Sequence, residues 1–213
     1  AGLLLFLGIH AIEEALVVSG ENLAGSFNGV LLTATVVVLS FIGLYYAGQK
    51  LIDRADSSQL TKPVAIALMI AIGIGLHNFG EGLAIGAAVG LGSIAFSTFL
   101  IVGFALHNTT EGIAIAGPLS KDKTSTRSLI GKLVGLGLIA GSPAIFGAWI
   151  GGFSYSPFSS VVFLAIGAGA IFQVIVVIFR MIREEGDKNL SSASVVSGIS
   201  IGMLVMYLTS ILV

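Results

Sequence analysis

The chain contains no cysteine, which excludes a disulfide framework and any thiolate metal site. Charge is scarce. Asp, Glu, Lys and Arg make up 10% of 213 residues, where a soluble domain carries about a quarter. The net charge of −1 leaves no basic excess for nucleic acid. There is no Gly-x-x-x-x-Gly-Lys-Ser/Thr loop and no His-Glu-x-x-His pair, so neither ATP hydrolysis nor a zincin-type protease is indicated. What is abundant is apolar sequence: 55% of the residues are hydrophobic and 29 are glycine. Apolar runs of twenty or so residues recur along the whole length, the signature of an all-α polytopic membrane bundle. The glycines suit that class, because small residues let membrane helices approach closely.

Seven spans are expected, at roughly 1–19, 28–50, 63–89, 93–117, 129–152, 158–182 and 191–213, within one transmembrane domain. Loops 20–27, 90–92 and 153–157 carry no Lys or Arg. Loops 51–62, 118–128 and 183–190, with the helix ends beside them, carry all ten: Lys50, Arg54, Lys62, Lys121, Lys123, Arg127, Lys132, Arg180, Arg183 and Lys188. The two sets alternate. The positive-inside rule makes the basic set cytoplasmic. It places the start of the first span inside and the C-terminus outside, and an eighth span upstream of Ala1 is expected. The lipid bilayer is thus the medium, with the cell membrane the expected location.

Two segments nearly repeat each other. His77-Asn78-Phe79-Gly80-Glu81-Gly82 and His107-Asn108-Thr109-Thr110-Glu111-Gly112 both occur deep within apolar runs. His and Glu four residues apart share one helix face. His77/Glu81 and His107/Glu111 are therefore two bidentate pairs, each able to grip a metal with one imidazole and one carboxylate. Side by side they make a cage of two His and two Glu near mid-bilayer. The repeat runs in opposite directions across a short hairpin, a local echo of the inverted repeats of transporters. Asn78 and Asn108 lie one position round, as ligands of a second ion or as interhelical hydrogen bonders. Gly82 and Gly112 read as close-packing residues.

Seven of the eleven acidic residues lie in or near loops; Glu13, Glu14, Glu81 and Glu111 lie within spans. An ionisable group at membrane depth costs several kcal/mol unless paired or hydrated. No Lys or Arg is deep enough to pair with these, so a bound cation is the simplest countercharge. His10, Glu13 and Glu14, in the outer half of the first span, read as a capture site that concentrates cations or as an inert helix end. Gln173 reads as helix glue ahead of a ligand. Pro143 reads as a break or kink that frees carbonyls.

These residues resemble the ZIP (Zrt/Irt-like) family of divalent-metal transporters over essentially the whole chain. His77 to Gly82 and His107 to Gly112 match the family's motifs in its fourth and fifth helices. His10-Ala11-Ile12-Glu13-Glu14 resembles its second-helix pattern. The resemblance implies eight helices with both termini outside, an inverted-repeat fold, and site-bearing helices that slide against a scaffold, often in a dimer. It implies a metal site of His77, Asn78, Glu81, His107, Asn108 and Glu111. It also implies Zn²⁺ or a similar ion (Fe²⁺, Mn²⁺, Co²⁺, Cd²⁺) as cargo, and no enzymatic activity or resident cofactor. The chain departs from the family pattern at Gly80 and Thr110, where the motif proline stands. It departs again at Ser142, where many members have a Glu that completes a second metal site. The residue reading leaves three rivals: a purely structural subunit, a cation channel with Glu81 and Glu111 as its constriction, and an intramembrane metalloenzyme. Four protein ligands leave the latter little room for a catalytic water.

Overall fold

Long uninterrupted apolar runs can satisfy their backbone in lipid only as helices, and helices are what form. The computed structural model describes residues 1–23, 28–55, 61–122, 125–184 and 192–211. They make seven helices: α1 Gly2–Asn22, α2 Gly29–Ala55, α3 Lys62–Gly90, α4 Ile94–Leu119, α5 Thr126–Ser154, α6 Pro157–Glu184 and α7 Ala193–Ser210. No strand occurs among the described residues. The first six are long and apolar enough to cross a membrane; in α7 the described apolar stretch, Ala193–Leu208, is shorter. Helix starts follow local chemistry. Pro63 sits in the first turn of α3, where its missing N–H costs nothing. The Ser125 side chain caps α5 by accepting from the Ser128 N–H. Lys123 and Lys188 lie outside the described residues.

Neighbouring helices alternate in direction. Gly82 abuts Ala144, Gly86 abuts Ala148, Gly147 abuts Phe79 and Gly151 abuts Leu83, so α3 and α5 run parallel. Gly80 meets Leu164, and Gly167 meets His77, so α6 runs against α3. Gly8 meets Ile171, while Ala15 clusters with Val161 and Leu164, so α1 also runs against α6. Gly2 meets Ile199 and Gly202 meets Leu3, which sets α7 parallel to α1. With this alternation the described Lys and Arg residues all fall at one end of the bundle.

The most enclosed helix is α3. It is buried nearly all round, from Ala65 to Ala88. Its Ile66, Met69, Ile70 and Ile74 pack with Leu136 and Ala140 of α5 and Ile171 and Val174 of α6. Glycine makes the α3–α5 contact possible. A Cβ on Gly82 would strike the Ala144 carbonyl, and one on Gly147 would strike the Phe79 carbonyl.

Pro143 does not break α5, which continues through it. The proline withholds a donor from the Ile139 carbonyl, and that oxygen sits against the bare Cα of Gly75. The next carbonyl, of Ala140, accepts a hydrogen bond from α3.

Candidate functional site

The middle of α3 carries His77, Asn78 and Glu81, each 1–2% exposed. One helical turn separates His77 from Glu81, and His77 Nε2 lies 3.2 Å from Glu81 Oε1, though not aligned as a hydrogen bond. The i, i+4 pairing expected from the sequence is thus formed on α3. It is held from three sides. The α5 glycines admit the helix face that bears Gly82. Gly167 of α6 lies so close that a Cβ there would come 2.8 Å from His77 Cα. Asn78 Nδ2 donates to Ala140 O of α5 at 3.0 Å.

The α4 helix returns alongside in the opposite direction. Ala88, Leu100 and Phe104, with Ala84 and Ile85, close the hairpin near its turn. The turn lies midway in sequence between His77 and His107, so α4 comes back to the same depth. The packed stripe of α4 runs Ser97, Leu100, Phe104, Glu111, Ile115 and Leu119, with Asn108 half-buried on the same face. Glu111 is 2% exposed. Thr110 Oγ1 donates to Met206 of α7, 3.0 Å from its sulfur. The side chain of His107 lies outside the described residues.

Several lone-pair atoms in this hairpin are buried without a hydrogen bond: His77 Nδ1, Asn78 Oδ1 and Asn108 Oδ1. Such atoms cost about 1–3 kcal/mol each when left unmet. Asn78 thus makes the interhelical hydrogen bond foreseen for it through its amide nitrogen, while its Oδ1 is unmet. Among the described residues no three His, Asp or Glu side chains cluster closely enough to hold a metal by themselves.

The candidate capture residues split apart. The register through α6 places His10 to Glu14 level with the middle of α3, deeper than the outer half expected from the span limits. His10 Nδ1 is 3.9 Å from Glu13 Oε2, and both side chains are substantially exposed. His10 also stacks on Phe6. Glu14 turns the other way, partly buried and near enough to His77 to act on it electrostatically.

Two sequence expectations change. Gly112 does not pack closely: nothing lies within 4 Å of a Cβ built there, because α4 turns that side outward. Gln173 does not act as glue through its amide nitrogen, which is buried with no hydrogen-bond partner. Gly167 was not singled out, yet it seats α6 on His77; its spacing from Gly169 in an apolar run was the available signal. Ser142 is half-buried on α5 and adds no carboxylate.

Apolar membrane-length helices packed around a buried polar hairpin define a helical membrane bundle. No protein-family model, curated protein or solved structure matches the chain.

Proposed function

We propose that this chain moves a divalent transition-metal ion, Zn²⁺ foremost, across the membrane toward the cytoplasm. The ion passes through a midplane site on the α3–α4 hairpin. One observation carries the reading: two carboxylates, Glu81 and Glu111, are 2% exposed at mid-helix, in a chain whose described Lys and Arg residues all lie near helix ends. Carboxylates at this depth favour a cation beside them. The unmet His77 Nδ1, Asn78 Oδ1 and Asn108 Oδ1 are donors of the borderline-hard kind that suits first-row divalent ions over Mg²⁺ or Ca²⁺. The resemblance to the ZIP family adds His107 to the ligand set and makes transport the activity.

In this reading His77, Asn78 and Glu81 are the ligands on α3 and Asn108 and Glu111 those on α4, with His107 added by the resemblance. Glu14 adds negative potential from α1. Protons compete with metal for the same carboxylates and imidazoles, so protonation promotes release. An ion that must leave needs ligands that can separate, and the outward-turned side of α4 permits that arm to shift.

The test is saturable uptake of radioactive Zn²⁺ into proteoliposomes. The His77→Ala/Glu111→Ala double variant is expected to fall to the rate of empty vesicles while eluting as the wild type does on size exclusion. Wild-type uptake by that variant would end the proposal. Non-saturating flux with unitary currents would replace it with a channel.

A further inference from the structure

Away from the hairpin, α2 and α6 run side by side in the same direction, with Ser40 against Gly169 and Tyr45 against Arg180. Their basic ends therefore coincide, with Lys50 and Arg54 of α2 at the same end of the bundle as Arg180 and Arg183 of α6. A pocket of about 310 Å³ opens there on α6, lined by Val176, Phe179, Arg180 and Arg183. Its chemistry is split: an apolar turn on the side of mid-span and two guanidinium groups toward the helix end.

Arg180 is held in place. Its Nη2 donates to the Tyr45 hydroxyl at 2.7 Å, and its guanidinium carbon stands 5.7 Å from the Tyr45 ring centre. A guanidinium has five N–H donors, so this contact fixes the group and leaves most of its donors for another acceptor. Arg183 lies one turn further on and is exposed. Asp53 is the described carboxylate on this end of α2, and it too is exposed. Two turns deeper on α6, a second cavity of about 100 Å³ lies between α2, α3 and α6, walled by apolar groups including Leu44, Gly48 and Met69.

We infer that this end of α2 and α6 binds an anionic phospholipid, with the headgroup phosphate on Arg180 and Arg183 and the chains along Val176 and Phe179. Charge complementarity selects the occupant. Arginine forks match phosphate oxygens in bidentate geometry, and a basic pocket at the end of membrane helices is where anionic headgroups reside. The apolar floor next to the charge fits a lipid, which carries its own apolar surface. A soluble anion would leave that floor wet. The site is separate from the α3–α4 hairpin and does not depend on metal transport.

The experiment measures thermal unfolding of the full chain in detergent, with added phosphatidylglycerol or phosphatidylcholine of identical acyl chains. Phosphatidylglycerol is expected to raise the melting temperature about 5 °C more than phosphatidylcholine does. Arg180→Gln/Arg183→Gln should lose that difference, while Lys62→Gln/Arg127→Gln, at the same end of the bundle, should keep it. Equal shifts with both lipids would overturn the inference. So would loss of the difference in both double variants, which would mean general charge attraction, or an equal shift from inorganic phosphate alone. If the arginine double variant fails to fold, native mass spectrometry of Arg183→Gln decides. Bound phosphatidylglycerol should drop at least about threefold, and unchanged binding refutes the site.

Discussion

The same six-residue pattern occurs twice, and its two copies live in different surroundings. On α3 the copy is enclosed. His77, Asn78, Gly80, Glu81 and Gly82 are all buried, Asn78 is bonded to α5, and Gly82 has no room for a methyl group. On α4 only one face is enclosed. Glu111 is buried, but Thr109, Gly112 and Ile113 are exposed and space beside Gly112 is open. Equal motifs thus produce a fixed arm and a freer one. The cause lies outside the motif, in the glycines of α5 and α6 that let backbones close on α3. A metal site built this way has one half set by the scaffold and one half able to move away from it.

The largest effect expected to test this contrast is at the paired glycines. Gly82→Ala drives a Cβ into the Ala144 carbonyl, which belongs to backbone and cannot swing aside. Overpacking of this kind costs about 1–3 kcal/mol or more, so the melting temperature should fall by about 5–10 °C. Gly112→Ala meets nothing and should stay within about 2 °C of the parent. Equal losses in both would show that α4 is packed as tightly as α3.

A smaller difference is expected between the asparagines. Asn78→Leu removes the donor to Ala140 O, and interhelical hydrogen bonds in membranes are worth about 1 kcal/mol. The metal-free variant should melt a few degrees low. The Asn108 Oδ1 is unmet among the described residues, so Asn108→Leu should leave the metal-free protein unchanged. Both variants should show a reduced melting shift on adding Zn²⁺. A normal Zn²⁺ shift in both would remove the two amides from the ligand set and leave the imidazoles and carboxylates.

Much of this was legible in the residues. Uninterrupted apolar runs specify membrane helices almost by themselves, and the placement of Lys and Arg at alternate loops gave the helix directions that the packing reproduces. Ends were less legible. The second span was expected to stop at 50, yet α2 continues to Ala55 because Leu51 and Ile52 still pack on the core. Pairwise fit was least legible. Nothing local distinguishes Gly82 from Gly112, since what differs is the helix that arrives opposite. Pro143 carried a break signal, but α5 continues through it, with Gly75, some sixty residues earlier, against the Ile139 carbonyl and Asn78 bonded to the next one. The split of Glu13 from Glu14 likewise depends on which neighbours α1 meets.

The smallest effect concerns how the freer arm is tied at its basic end. Just past α4, Asp122 accepts from Thr61 Oγ1, before α3, at 2.9 Å, and from Lys132 of α5. This clasp joins the end of α4 to the start of α3 and to α5, which packs against α3. The Lys132 hydrogen bond, with help from Thr61, holds the Asp122 carboxyl below its usual range. A carboxyl lowered on folding contributes stability that is complete above its unfolded pKa, about 3.9. That contribution is lost as the pH falls through the lower folded value. The parent should therefore lose part of its stability between about pH 4 and the folded pKa of Asp122. Asp122→Asn should begin slightly less stable at pH 7 and lack that component of the acid dependence. Hydrogen exchange at neutral pH should localise the change to the last turn of α4 and leave mid-α3 protected. Faster exchange spread equally over both arms would mean that the clasp holds the hairpin as one body, and the distinction between a fixed arm and a freer one would fail at this end.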